Sequence, residues 1–447
     1  MNIFANRILN LKNIKLIGFD MDHTLIRYKN ETFEKKAFDE VLKKLVNIKN
    51  YPSRIFDFKF DYNKMIRGLV FDKVKGNVLK VNCYGEVKMA LHGLNFLSFD
   101  SMKKTYKGLH IDVSQTQYYS SLDTVFSVSM GLLFSLLVDL KDDVKFDGFP
   151  EDIDYIDIFN DIQEMLDLSH ADNSLKGDVK ENLKKYIIKD ENLVKMLHNF
   201  KKEGKILAVI TNSDYNYTKL LLDYAINSFE KYDLKWTDIF DYVITLSSKP
   251  SFFTESNKFL KVDHKTALMS NWNKPLEKGI YQGGCASELQ KQLDLKGDQI
   301  LYLGDHIYGD IVTLTKNCDW KTGLIIEELS TEIDALKKSK KTQENIDKLM
   351  SIKESIEIQI ESSHDEKRKE LFKEIRKLDA DISENILKYH SFFNPYWGPI
   401  MRAGQEESRL AYQIQRYSCI YMSKITNLID YSPRHYFRPK RRPLPHE

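Results

Sequence analysis

The separation of Asp20 from Thr211 constrains the fold more than any other feature, because 190 residues lie between them. Both end short segments rich in Ile, Leu and Val, KLIGFD (15–20) and KILAVIT (205–211). Such runs read as fully buried parallel strands. Three more follow: DYVITLS (241–247), QILYLGD (299–305) and TGLIIEE (322–328), with helical patterns between them. Alternating strands and helices imply a doubly wound α/β parallel sheet. A parallel crossover unit needs only about 30 residues, so the excess after Asp20 must be an inserted domain lying over the strand ends. Within it, residues 69–98 alternate and turn at Lys75-Gly76-Asn77 and Tyr84-Gly85-Glu86, as antiparallel strands do. The rest, from Asp123 to about Asn199, has helical periodicity.

After Glu328 the chain becomes dense in Lys and Glu and lacks Gly and Pro up to Tyr389. Ile346, Leu349, Ile352 and Ile356, then Leu371, Ile375, Leu378, Ile382 and Ile386, recur at three- and four-residue spacings. Two amphipathic helices broken near Ser362-Ser363-His364 are expected, as a solvated hairpin packed on the body. The expected divisions are core (1–28), α+β cap (29–200), core (201–329), charged helical hairpin (330–389) and an aromatic and helical C-terminal segment packing on the core (390–447). The basic end, FRPKRRPLPHE, reads as a surface tail.

Composition narrows the function. Sixty-seven Lys and Arg against 65 Asp and Glu give a formal charge of +2, which argues against nucleic acid as a partner. The most apolar run (125–140) is short of the roughly 20 residues a membrane helix needs and reads as a buried helix. Cys83, Cys285, Cys318 and Cys419 form no CxxC pair, as expected of free thiols in a reducing compartment. A cytoplasmic protein is expected, with no membrane partner.

Chemistry collects at the strand ends. Asp20-Met21-Asp22-His23-Thr24 places two carboxylates two residues apart. One can attack phosphorus, and the other can protonate the leaving oxygen and later deprotonate water. Thr211-Asn212-Ser213 opens a helix with hydroxyls and free N–H groups suited to phosphoryl oxygens. Lys249 can neutralise charge on a transferring phosphoryl group. Gly304-Asp305-His306-Ile307-Tyr308-Gly309-Asp310 adds two carboxylates. Mg²⁺ takes one or two carboxylates with waters and phosphate oxygens. Asp20 and Asp305 can supply these, with the Asp22 carbonyl as a further ligand and Asp310 holding a metal-bound water or Lys249.

This order of motifs resembles the haloacid dehalogenase superfamily. GFDMDHTL, RGLVFDKVKGNVLKVNCYGE, LHGLNF, KYIIKD, TNSDYNYT, LYLGDHIYGDI and the terminal PHE resemble the cytosolic purine 5′-nucleotidases acting on IMP and GMP. The resemblance implies a capped Rossmann-like core, Mg²⁺ and an aspartyl-phosphate intermediate. Asp20 would be the nucleophile, Asp22 the general acid/base, Thr211 and Lys249 phosphate binders, and Asp305 a metal ligand. It further implies that Phe126 stacks on the base, that Asp167 and His170 read the purine edge, and that Lys176 binds phosphate. Asp167 can accept from N1–H of a 6-oxopurine and His170 can donate to O6, whereas adenine would leave both unpaired. Tyr308, Lys316, Gln413 and Tyr417 match a family site for a nucleotide effector, and a homo-oligomer is expected on the same ground.

The chain departs from the family at three places. Ala171 replaces an aromatic, Gln163 an Arg and Asp123 an Asn. The first two bear on ranking IMP, GMP and their deoxy forms; an acid at 123 would repel a polyphosphate effector. Two other functions compete with hydrolysis: phosphotransfer to a nucleoside through the same intermediate, and a non-catalytic nucleotide-binding protein.

Overall fold

The computed structural model describes residues 2–124, 128–143, 148–149, 153–229 and 235–441. Six parallel strands form the centre of the main sheet: β1 (Leu16–Phe19), β2 (Ile206–Ile210), β3 (Tyr242–Thr245), β4 (Gly279–Gly283), β5 (Ile300–Gly304) and β6 (Lys321–Ile325). Their spatial order is β6-β5-β1-β2-β3-β4. Every residue of β1 and β5 is buried, which explains their unbroken apolar sequences. The chain runs one way from β1 to β4 and the other way through β5 and β6. Asp20 and Asp305, which follow β1 and β5, therefore flank the point where strand order reverses, and α/β sheets bind ligands there.

The sheet is wider than the sequence suggests. β4 was not expected, because GIYQG has glycine at both ends and only two fully buried residues. The strand Phe259–Val262 extends that edge antiparallel to it, and Met269–Asn271 pairs antiparallel with that strand in turn. At the other edge Ile420–Met422 runs parallel to β6 and pairs in turn with Ile3–Ala5. Tyr436–Phe437 pairs with Leu9–Asn10. The segment after 390 thus completes the main sheet, in addition to packing on the core. Residues 442–447, the end of the expected tail, lie outside the described residues.

The insertion leaves and rejoins the core through a two-stranded ribbon, Arg27–Tyr28 against Ile187–Ile188. Inside it, five antiparallel strands lie in the order Asn95–Phe96, Val87–His92, Asn77–Val81, Val70–Asp72, Tyr119–Ser121. Gly76 and Gly85 make the foreseen turns at φ of 66° and 88°, a region open to Gly without steric cost. The helices Asn30–Lys49, Val128–Lys141 and Tyr155–Ala171 pack together beside this sheet. The apolar run becomes Val128–Lys141, buried along most of its length. The helix Glu191–Lys202, which follows the ribbon, packs on β2 and on Ile425–Asp430, so we assign it to the core although most of it falls within 29–200.

Leu329–Glu361 and Asp365–His390 form the helical hairpin. Ile346, Ile356, Leu371 and Ile382 are buried along its seam, and Lys353 pairs with Asp379 at 2.7 Å across it.

Candidate active site

β5, β1, β2 and β3 are neighbours, so Asp305, Asp20, Thr211 and Lys249 line one edge of the sheet in that order. Lys249 Nζ lies 2.8 Å from Asp20 Oδ1 and 2.8 Å from Asp310 Oδ1, and donates to Tyr302 Oη at 2.8 Å. Asp20, Asp305 and Asp310 each offer an oxygen within 4.8 Å of the others. Asp310 sits in a wide helical turn, Ile307–Val312, a geometry common at functional sites. Its Oδ2 accepts from His306 N–H at 3.2 Å.

Three acids against one lysine leave the cluster short of positive charge. Burial pushes the Asp20 carboxyl up to about 7, with Lys249 opposing and Asp310 reinforcing the rise. Burial also raises Asp305, helped by repulsion from Asp20 and Asp310. For Lys249 burial pulls the ammonium down, but Asp20 and Asp310 outweigh it and leave it raised. A divalent cation among these oxygens would relieve both the desolvation and the repulsion. All donors are hard oxygens, so the set fits Mg²⁺.

Asp22 stands apart from the cluster through its side chain. Tyr28 Oη donates to its Oδ1 at 2.6 Å and Ser213 Oγ to its Oδ2 at 2.9 Å. Only its backbone carbonyl is left as a candidate ligand. Thr211 Oγ1 accepts from Ser213 N–H at 3.1 Å, leaving its own proton for a phosphoryl oxygen. Asn212 is held through its side chain. Its Oδ1 accepts from Lys249 N–H at 2.6 Å and from Ser247 Oγ at 3.0 Å, and its Nδ2 donates to the Lys249 carbonyl at 3.0 Å. The side chain fixes the lysine loop, so any phosphate contact falls to its backbone.

On the cap side, His170 is the last residue but one of the helix Tyr155–Ala171, its ring stacked 6.5 Å from Phe33. Burial, then Lys176, pulls its imidazole down to about 4, so it is neutral near pH 7. Asp167 and Gln163 lie on the exposed face of the same helix, and Ala171 is its last residue. Lys176 Nζ is 5.1 Å above the ring of Tyr217, which follows Ser213 into the core. Phe126 lies outside the described residues.

Of the expected effector residues, Lys316 Nζ lies 5.8 Å over the Tyr417 ring. Gln413 is one turn before Tyr417 in the helix Arg409–Tyr417, which packs against the turn bearing the exposed Tyr308. Burial raises Asp123, with His306 and Arg409 opposing.

Two contacts were not foreseen. Arg67, only 2% exposed, donates from Nη1 to the Asp305 carbonyl at 3.0 Å and pairs with Glu328. Tyr28 holds Asp22 from the ribbon that joins cap to core. The sequence offers a faint signal for each: Arg67 opens RGLVFD, and Tyr28 follows Asp22 by six residues.

With this geometry in place, comparison with known proteins decides the family. The sequence profile of the 5′ nucleotidase family matches residues 3–447. The chain belongs to the 5′ nucleotidase family. A 5′-nucleotidase domain-containing protein of Dictyostelium discoideum is 28% identical over 455 residues, spanning 100% of this chain and 75% of that one. Among solved structures, CbbY from Rhodobacter sphaeroides in complex with phosphate is 12% identical, covering 70% of this chain and 86% of that one with a TM-score of 0.25. A putative phosphatase from Clostridium difficile is 15% identical with the same coverages and a TM-score of 0.27. The family membership supports a hydrolase releasing phosphate from nucleotides, and among the described residues no helix is long and apolar enough to cross a membrane.

Proposed function

We propose that the protein hydrolyses purine nucleoside 5′-monophosphates, IMP and GMP with their deoxy forms, to nucleoside and phosphate through an aspartyl phosphate on Asp20. The observation that carries this reading is Lys249 bridging Asp20 and Asp310 at 2.8 Å each. It holds a cation beside the nucleophile and beside the place where a phosphoryl group would arrive. Asp20 attacks phosphorus while Asp22 gives its proton to O5′ of the departing nucleoside. Asp22 then takes a proton from the water that attacks the aspartyl phosphate. Lys249 and Thr211 bind the phosphoryl oxygens and orient them for in-line attack. Mg²⁺, held by Asp20, Asp305 and the Asp22 carbonyl, would supply charge neutralisation at the phosphoryl oxygens. Neutral His170 donates to O6 of the base and Asp167 accepts from N1–H, with Lys176 reaching back to the phosphate.

Four thiols free of disulfides support a cytoplasmic setting. The test is a phosphate-release panel over ribonucleoside and deoxyribonucleoside monophosphates with Mg²⁺. Release from IMP and GMP well above AMP is expected, and no release from any purine monophosphate would overturn the reading.

A further inference from the structure

We propose that Tyr28 is the positioning residue that sets Asp22 for proton delivery to the leaving nucleoside, tying that proton to the joint between cap and core. The inference rests on the function proposed above. Its basis is geometric. Tyr28 lies in the short strand Arg27–Tyr28 by which the chain enters the cap, and its register partner is Ile187, where the chain returns. From there its hydroxyl donates to Asp22 Oδ1 at 2.6 Å. Having given that proton, Tyr28 Oη can only accept from Tyr217 Oη, 3.1 Å away. Ser213 Oγ holds the other oxygen of Asp22 at 2.9 Å, so the carboxyl plane is fixed from two sides.

The ring of Tyr28 is also fixed. His23 stacks on it at 4.8 Å and Phe33 meets it edge-on at 5.4 Å. Phe33 in turn stacks on His170 at 6.5 Å. Aromatic contacts therefore run from the base-reading histidine to the tyrosine that orients Asp22.

The step it serves breaks the P–O5′ bond and forms the Asp20 Oδ–P bond. The proton on Asp22 goes to O5′, and the electrons of the broken bond stay with that oxygen. A nucleoside alkoxide leaves poorly without that proton, whereas an activated phenolate leaves without it. Positioning by Tyr28 should therefore matter for one substrate and not for the other.

The experiment compares Tyr28→Phe with wild type on IMP and p-nitrophenyl phosphate, in the Mg²⁺-loaded full chain. Phenylalanine keeps the ring contacts and removes only the hydroxyl. The expected result is a 10- to 100-fold lower kcat on IMP, a KM for IMP within about threefold, and pre-steady-state phenol release within about threefold. In the Asp22→Asn background, adding Tyr28→Phe should lower IMP turnover no further. If Tyr28→Phe does not fold, Tyr217→Phe, which removes the support of that hydroxyl, should show the same leaving-group pattern in weaker form. Equal losses on both substrates, an unchanged kcat on IMP, or a faster variant would each overturn the proposal. Failure of wild type itself to hydrolyse IMP would instead count against the proposed function.

Discussion

The carboxylate of Asp310 occupies the space that a side chain on residue 304 would need: a Cβ on Gly304 would lie 2.4 Å from Asp310 Oδ2. The glycine that ends β5 is thus the condition for Asp310 to reach back over the strand and meet Lys249. Asp310 cannot step aside cheaply, since Lys249 and His306 N–H hold its two oxygens. Gly304→Ala should therefore displace Asp310 and with it Lys249. A misplacement of about 1 Å at a reacting group can cost about 10²-fold, so kcat/KM on IMP should fall by about that factor in a protein that still folds. Steady-state kinetics with a melting curve checks this, and wild-type activity in a folded Gly304→Ala protein would show that Asp310 does not place the lysine.

The division of labour between Asp20 and Asp22 predicts different failures. Asp20→Asn removes the proposed nucleophile, and turnover of IMP should drop to background. Asp22→Asn keeps a side chain of the same shape and the backbone carbonyl, while losing proton transfer in both half-reactions, typically a 10²- to 10⁴-fold effect for each. An activated aryl phosphate should still phosphorylate Asp20, and the product should persist because nothing deprotonates the attacking water. A burst of phenol with about one phosphate retained per site is expected. Full turnover of IMP by Asp20→Asn, or no trapped phosphate with either substrate, would remove the covalent mechanism.

Among the described residues, the helical hairpin is joined to the body near its base. Glu332 accepts from Ile400 and Met401 N–H at 3.1 Å each, and Leu329 and Ala335 are buried. Farther out, the two helices bury residues mainly against one another. Removing 344–381 and closing the gap with a short flexible linker should leave IMP hydrolysis within about tenfold, roughly 1.4 kcal/mol. A folded excision variant that loses far more would mean that the distal hairpin shapes the site or an assembly the site needs.

How legible this was depended on whether a residue's role is local. β1, β2, β3, β5 and β6 announce themselves because both sheet faces are covered and only apolar side chains fit. Asp20, Asp305, Thr211 and Lys249 follow directly, since each trails such a strand. The 190-residue gap gave the cap for the same reason, as did the lysine-rich periodicity for the hairpin. β4 escaped because glycines and a glutamine make it look like a loop. Arg67 escaped for another reason: its contact with Asp305 spans 238 residues, and no local pattern encodes such a partner. The hold of the Asn212 side chain on the Lys249 loop escaped likewise, because its sequence neighbours do not show that the Lys249 backbone lies within reach.

Base recognition is the finest of the proposed features and is tested by discrimination. If Asp167 accepts from N1–H and His170 donates to O6, kcat/KM for IMP and GMP should exceed AMP by about 10² or more, because adenine would leave both groups unpaired against its edge. Asp167→Asn should narrow that gap chiefly by lowering IMP turnover. Equal use of AMP and IMP by the wild type would sink the assignment and leave the phosphatase chemistry untouched.

Glu34 gives a prediction independent of catalysis. It lies in the helix Asn30–Lys49, 1% exposed, and its Oε2 accepts from Ser129 N–H at 2.7 Å. Burial pushes its carboxyl up to about 8, against the opposing pull of that hydrogen bond. The folded chain therefore keeps a proton that the unfolded chain releases at the ordinary glutamate value of about 4.3. Where the folded state binds more protons, stability falls as pH rises. The contribution is thus fully present below about pH 4 and is lost progressively up to about pH 8, where the folded state also ionises. Glu34→Gln fixes the neutral form and removes this dependence. Its melting temperature should gain on wild type steadily between pH 5 and pH 8 and run parallel above that window, as thermal denaturation across a pH series would show. A difference between the two proteins that does not change with pH would mean that Glu34 titrates alike in the folded and unfolded chains.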